Sequence, residues 1–181
     1  MHIEKEKIYP NCPFITRIVE IGGQTKSQLI KKLQQASISM NEYGEMLLKN
    51  DHFTVSNTKY SLQTVELTVG DLGFLEGATT PQIYKKAKEL NLQLCPLELG
   101  PYIRLSYLDQ PEGFIGNSLK QHQAPSGSIT IASEALSEDE DFPKGFYIRR
   151  IKVYYGCADT VPIIYMFGTT MIILSFVKNS D

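Results

Sequence analysis

Residues 128–151 read SITIASEALSEDEDFPKGFYIRRI, and this stretch decides the fold class. Its two ends, SITIAS at 128–133 and FYIRRI at 146–151, are rich in β-branched and aromatic residues alternating with polar ones, as strands are. Between them the acidic run 137–141, SEDED, leads into Phe142-Pro143-Lys144-Gly145, which carries turn chemistry. Two strands joined by an acidic hairpin loop are expected. The run lacks the alternating ligand positions of a calcium loop, so a solvated turn is the reading taken. Upstream, residues 102–108 read YIRLSYL and alternate in the same way. A strand there would place Tyr102, Arg104, Ser106 and Leu108 on one face and Ile103, Leu105 and Tyr107 on the other.

The first hundred residues read differently. Residues 14–21, FITRIVEI, form a strand by the same criterion, and Gly22-Gly23 breaks it. Thr25 and Gln28 then make a capping box. Leu29, Ile30, Leu33 and Ala36 follow at helical spacing, with Lys31, Lys32, Gln34 and Gln35 on the other face, so a helix is expected over 26–36. A second, shorter helix is expected from Asn41, with Met46, Leu47 and Leu48 facing inward. Residues 53–56 suggest a short strand. Val65, Leu67 and Val69 alternate as a strand, while Thr68 to Asp71 competes as the start of a helical turn reaching Leu72. Thr79 and Gln82 form another capping box with Pro81 in the first turn, Ile83, Tyr84, Ala87 and Leu90 make one face, and Asn91 suits the position after the helix. Helices come first, strands dominate later, no repeat of fixed period appears, and no regular β-α-β alternation occurs. The expectation is one α+β domain in residues 1–151, with N-terminal helices packed on a mainly antiparallel β-sheet formed by the C-terminal half.

Composition narrows the function classes. The chain has 181 residues, 42% apolar and 21% charged, with a net charge of −2. That is enough for a real core and excludes a disordered chain. The charge balance gives no electrostatic reason to expect nucleic acid. The polar start and the absence of an apolar leader predict a cytoplasmic protein. Cys12, Cys95 and Cys157 are odd in number and too widely spaced for a disulfide framework or a zinc site, and Cys12 and Cys95, each followed by proline, read as small buried hydrophobes. His2, His52 and His122 show no metal-ligand spacing and read as surface histidines. The patterns GxxxxGK[ST], GxGxxG, GxSxG and HExxH are all missing, so no cofactor and no metal is expected.

The densest polar segment is 95–113, CPLELGPYIRLSYLDQPEG. Glu98, Arg104, Asp109, Gln110 and Glu112 lie within it. If it carries chemistry, Arg104 binds an anionic group bidentately and one of Glu98, Asp109 or Glu112 serves as acid or base. The competing reading makes Arg104 a structural cation, paired with Glu98 or Asp109, that fixes a loop. Arg149 and Arg150 are adjacent strand residues, point to opposite faces and make no phosphate patch.

NCPFITRI at 11–18, IGGQTKSQL at 21–29, LCPLELGPYIRLSYLDQPEG at 94–113 and EDFPKGFYIRRI at 140–151 resemble a family of small uncharacterised bacterial proteins of about this length. The resemblance covers most of the chain from Ile8 to Ile151. Some members carry the label helicase, which does not transfer to a chain without a P-loop. The resemblance implies no activity, cofactor or catalytic residue. It implies that an Asp-Gly turn, a Trp-containing strand and a Trp- and Asp-rich ending should follow GFYIRRI, and the chain departs from that at Lys152.

Beyond Ile151 charge is sparse: Lys152, Asp159, Lys178 and Asp181 are the charged residues, and 160–177, TVPIIYMFGTTMIILSFV, has none. Three readings compete. A membrane anchor would be at the lower length limit, interrupted by Pro162 and Gly168 and without a basic flank. A pair of buried strands, 163–167 and 171–177, would turn at Gly168-Thr169-Thr170. The third, favoured by the resemblance, is a displaced reading frame: codons for 153–180 can be chosen so that the frame shifted by two bases is open and spells tryptophan at the codons of Gly156 and Gly168. The chain has no Trp among ten Tyr and eight Phe, which fits that reading. For function, a non-enzymatic binding or interaction module with an unknown protein or small-molecule partner leads. A small enzyme centred on residues 98–112 and a membrane-tethered protein are the alternatives.

Overall fold

A computed structural model describes residues 8–112, 127–152, 160–165 and 173–178. One mixed, mainly antiparallel sheet organises the chain, with helices against it, an α+β architecture. Strand β1 (Ile15–Ile21) pairs antiparallel with β3 (Tyr60–Thr68), from Ile15 opposite Glu66 to Ile21 opposite Tyr60. The alternation read in the sequence separates two cores. Val19 and Ile21 point to one face, with Tyr60 and Leu62 beside them, and join the larger cluster. Val65 and Leu67 point to the other and join a second cluster with Val69 and Leu72.

The remaining strands are β2 (Ser39–Met40), β4 (Leu92–Gln93), β5 (Ile129–Ile131), β6 (Tyr147–Lys152), β7 (Thr160–Tyr165) and β8 (Ile173–Lys178). Their order in the sheet is β1-β3-β8-β5-β6-β7-β2. Strand β8 is central: antiparallel to β3 on one side, and on the other parallel to β5 and antiparallel to β4 at its far end. The expected hairpin forms, with β5 antiparallel to β6. Its acidic loop is an exposed turn closed by Lys144, whose Nζ donates to the carbonyls of Ser137 at 2.8 Å and Asp139 at 2.7 Å. The sheet is therefore not built from the C-terminal half alone, as expected from sequence: β1 and β3 supply one flank. Strands β7 and β8 do form in the tail, but β7 pairs with β6 and β2 rather than with β8; the Gly168-Thr169-Thr170 turn lies outside the described residues.

Helix α1 (Lys26–Gln35) starts on the capping box read from sequence, with Thr25 N donating to Gln28 Oε1 at 2.8 Å and Gln28 N to Thr25 Oγ1 at 3.2 Å. Leu29 and Leu33 are its buried residues. Helix α2 (Glu42–Lys49) is capped by Asn41, which accepts from Gly44 N at 3.0 Å. Leu47 and Leu48 are buried, but Met46 is 43% exposed, because the buried stripe of this short helix reaches no further round than Gly44, Leu47 and Leu48. Helix α3 (Thr80–Glu89) starts with Thr79 N on Gln82 Oε1 at 2.9 Å and ends before Asn91, whose φ of +56° is left-handed. Both readings of 65–72 hold in succession: β3 stops at Thr68, Asp71 Oδ2 accepts from Thr68 N at 2.9 Å, and a 3-10 turn occupies Gly70–Leu72.

Two expectations fail. Residues 53–56 form no strand; Phe53 sits in a loop with its ring edge-on to Phe146, centroids 6.0 Å apart. Residues 102–108 form no strand either. Helix α4 spans Leu99–Ser106, with Leu99, Gly100, Pro101, Tyr102, Ile103 and Arg104 all buried. Burial on every side removes the polar stripe by which a helix is recognised. Pro101 falls in the first turn, where its missing N–H costs nothing. Gly100 is required by packing, since a Cβ there would lie 2.7 Å from Phe146 Cβ.

Candidate functional site

The residues singled out from sequence do not converge. Glu98, just before α4, is buried and accepts from Ser56 N and from the Tyr60 hydroxyl, each at 3.0 Å. It thereby ties the 53–60 loop to the start of α4. Burial, with Glu98 beside it, pushes the Tyr60 phenol up to about 12.

Arg104 is 0% exposed. Its Nη1 donates to Gln110 Oε1 at 2.6 Å and its Nη2 to the Tyr107 carbonyl. Among the described residues it has no ion pair with Glu98, Asp109 or Glu112. Burial lowers it to about 10, with the like charge of Arg150 acting in the same direction. Gln110, 1% exposed, completes the cluster: its Nε2 donates to the carbonyls of Gly127 at 3.0 Å and Ile148 at 3.2 Å. Asp109 and Glu112 are exposed, and Glu112 faces Arg150 at 4.0 Å. The set is thus two buried hydrogen-bonded clusters and two exposed carboxylates. Cys12 and Cys95 are buried as expected, His52 is exposed, and His2, His122 and Cys157 lie outside the described residues. No group of His, Cys, Asp or Glu able to hold a metal occurs among the described residues.

An open cleft of about 710 Å³ lies elsewhere, between β1, α1 and α4. Helix α4 is fastened to β1 at two points. The Arg17 guanidinium lies 3.7 Å over the Tyr107 ring while its Nε meets Glu66 Oε2 at 3.0 Å. At the other end the Tyr102 hydroxyl donates to Gly22 O at 3.2 Å, and burial raises this phenol. Between these points β1 borders the cleft with Ile18, Val19 and Glu20. Helix α1 contributes Lys32 and Gln35, with Ala36 at its C-terminal cap, and α4 contributes Leu105 and Ser106. Ile18 is 74% exposed, whereas Val19 beside it is buried. Glu20 is held by Lys59 at 2.6 Å. A second groove of about 440 Å³ lies between the 3-10 turn and α3 and has no strand edge in its wall.

From sequence, Lys32 and Gln35 read as the solvent face of α1, and Tyr102 was placed beside Arg104. The signal that could have drawn notice is α1 itself, KSQLIKKLQQ, with three lysines and no carboxylate. No helix among the described residues is long and apolar enough to cross a membrane. No protein-family model, no curated protein and no solved structure matches the chain.

Proposed function

We propose that this protein is a non-enzymatic, cytoplasmic binding module whose ligand surface is the cleft between β1, α1 and α4. One observation carries the reading. The side chains that would make the polar segment an active site, Glu98 and Arg104, are buried and hydrogen-bonded within the protein, Glu98 to Ser56 N and the Tyr60 hydroxyl and Arg104 to Gln110 Oε1 and the Tyr107 carbonyl, while the cleft is open and framed by two helices and a strand end of the sheet. A concave surface of this size, lined by apolar and polar side chains in about equal number, has the form of a binding site. The enzymatic alternative requires Glu98, Arg104, Asp109 and Glu112 to border one cavity, and neither groove described above is lined by any of them. The family resemblance of residues 94–113 and 140–151 is compatible with this proposal and adds no activity to it.

The reading is tested by titrating the isotope-labelled full chain with a library of small fragments and short peptides. Amide shifts are expected at residues 18–24, 32–36 and 102–106. Shifts confined to residues 104–112 would favour the enzymatic alternative.

A further inference from the structure

We infer that the occupant of this cleft is an extended, acidic peptide segment that adds to β1 as a further strand; the inference rests on the cleft being the binding surface proposed above. Three consecutive residues of β1 line the cleft. Successive side chains of a strand point to opposite faces. A space bordered by Ile18, Val19 and Glu20 together is therefore bordered by the strand's main-chain edge. Strand β1 ends the sheet, and among the described residues it pairs with β3 alone. Every second residue of such a strand presents its N–H and C=O outward with no ladder partner. An extended chain lying about 4.8 Å away takes up those bonds as a neighbouring strand does. Val19, Ala36 and Leu105 give its inward side chains an apolar floor.

Charge selects the class of peptide. Helix α1 carries Lys26, Lys31 and Lys32 and no carboxylate, and Lys32 borders the cleft. Glu20, the carboxylate lining the cleft, is neutralised by Lys59. What remains is positive, so carboxylates on the incoming strand are attracted and lysines repelled. A second copy of the chain is the less suitable occupant. Antiparallel pairing of β1 with itself about a two-fold axis normal to the sheet keeps faces matched, and so brings α1 and α4 of both copies together along the same side of the seam. A lone strand brings no helices.

The full chain is titrated with a short blocked peptide alternating valine and glutamate, and with its lysine counterpart. Two further acidic peptides are N-methylated on one or the other alternate set of amides. The acidic peptide is expected to shift amides of residues 18–20, 32–36 and 102–106. The lysine peptide, or the Lys32→Glu variant with the acidic peptide, is expected to bind about tenfold more weakly. Only one of the two methylated peptides should lose binding, because a strand presents alternate amides to its neighbour. Equal binding of acidic and basic peptides, or equal behaviour of the two methylated ones, overturns the inference. Fragments that occupy the cleft while no peptide does overturn it and leave the binding surface standing. If no probe shifts the cleft, both readings fall. Amide shifts of β1 that follow the protein's own concentration make the occupant a second copy, which also overturns it.

Discussion

Arg104 donates to Gln110 across 2.6 Å in a part of the molecule that solvent does not reach, and it is Gln110, not a carboxylate, that anchors the cation. Gln110 Nε2 at the same time satisfies the carbonyls of Gly127 and Ile148, joining the segment after α4 to the start of β5 and to β6. Gln110→Leu leaves the Arg104 cation with the Tyr107 carbonyl and takes the Gln110 donor from the carbonyls of Gly127 and Ile148, and should destabilise by about 2–3 kcal/mol. Arg104→Met removes the desolvated charge but takes the donor from buried Gln110 Oε1 and from the Tyr107 carbonyl, and should cost about 1–2 kcal/mol. Urea unfolding of both variants measures the asymmetry. If Arg104→Met is by far the more damaging, the cation is a stabilising partner in its own right and the structural reading of this cluster is wrong.

The packing of α4 on the residue preceding β6 has its own test. Gly100→Ala places a Cβ 2.7 Å from Phe146 Cβ and 2.8 Å from its ring carbons Cγ and Cδ2. A clash with a buried aromatic should cost about 1–3 kcal/mol, read as a lower urea midpoint. A variant as stable as the parent would mean that the two elements are not in contact.

The contrast between α4 and the rest shows what was legible in the sequence. Helices α1 and α3 are amphipathic and begin at capping boxes, so local chemistry alone marks them. Strands β1, β5 and β6 alternate or carry β-branched residues. From Leu99 to Arg104 helix α4 is buried, and YIRLSYL matches a period of two as well as it matches a helix; only the tertiary position, with Phe146 against Gly100, decides. The centrality of β8 is likewise a matter of pairing partners far apart in sequence. The cleft was invisible for a related reason. Its residues come from three separated segments, and Lys32 looks like any solvated lysine until α4 is laid beside β1.

Alkaline pH probes the Glu98 cluster. Tyr60 holds its phenol proton to about 12 in the folded chain, against about 10 when unfolded. Across that interval the folded state binds more protons than the unfolded one, so stability is intact below about 10 and falls as pH rises toward about 12. Tyr84, raised to about 12 by burial, acts in the same sense. Tyr60→Phe should remove one late step from the phenolate absorbance titration and weaken the alkaline loss of stability. Loss of an ordinary step near 10, with the late step kept, would mean that Tyr60 ionises as an exposed tyrosine does.

The tail is testable by truncation. Among the described residues, strand β8 alone links the β1–β3 flank to β5 and β6 in the sheet order. A chain ending at Lys152 should therefore lose cooperative unfolding, whereas a folded truncated domain would show that residues 153–181 are dispensable. The displaced-frame reading makes a separate prediction. The coding DNA across 153–180 should be open when read two bases on, with tryptophan at the codons of Gly156 and Gly168, and restoring that frame should raise stability. A stop codon within it ends the idea.

The central claim is that binding is placed in the cleft and not on the Glu98–Glu112 segment. Chemical-shift mapping of the full chain against the mixed fragment and peptide library tests it most directly. The account predicts perturbations gathered on Ile18, Val19, Glu20, Lys32, Ala36 and Leu105, with Asp109 and Glu112 unmoved. Perturbations centred on Arg104, Asp109 and Glu112, with the edge of β1 silent, would contradict it.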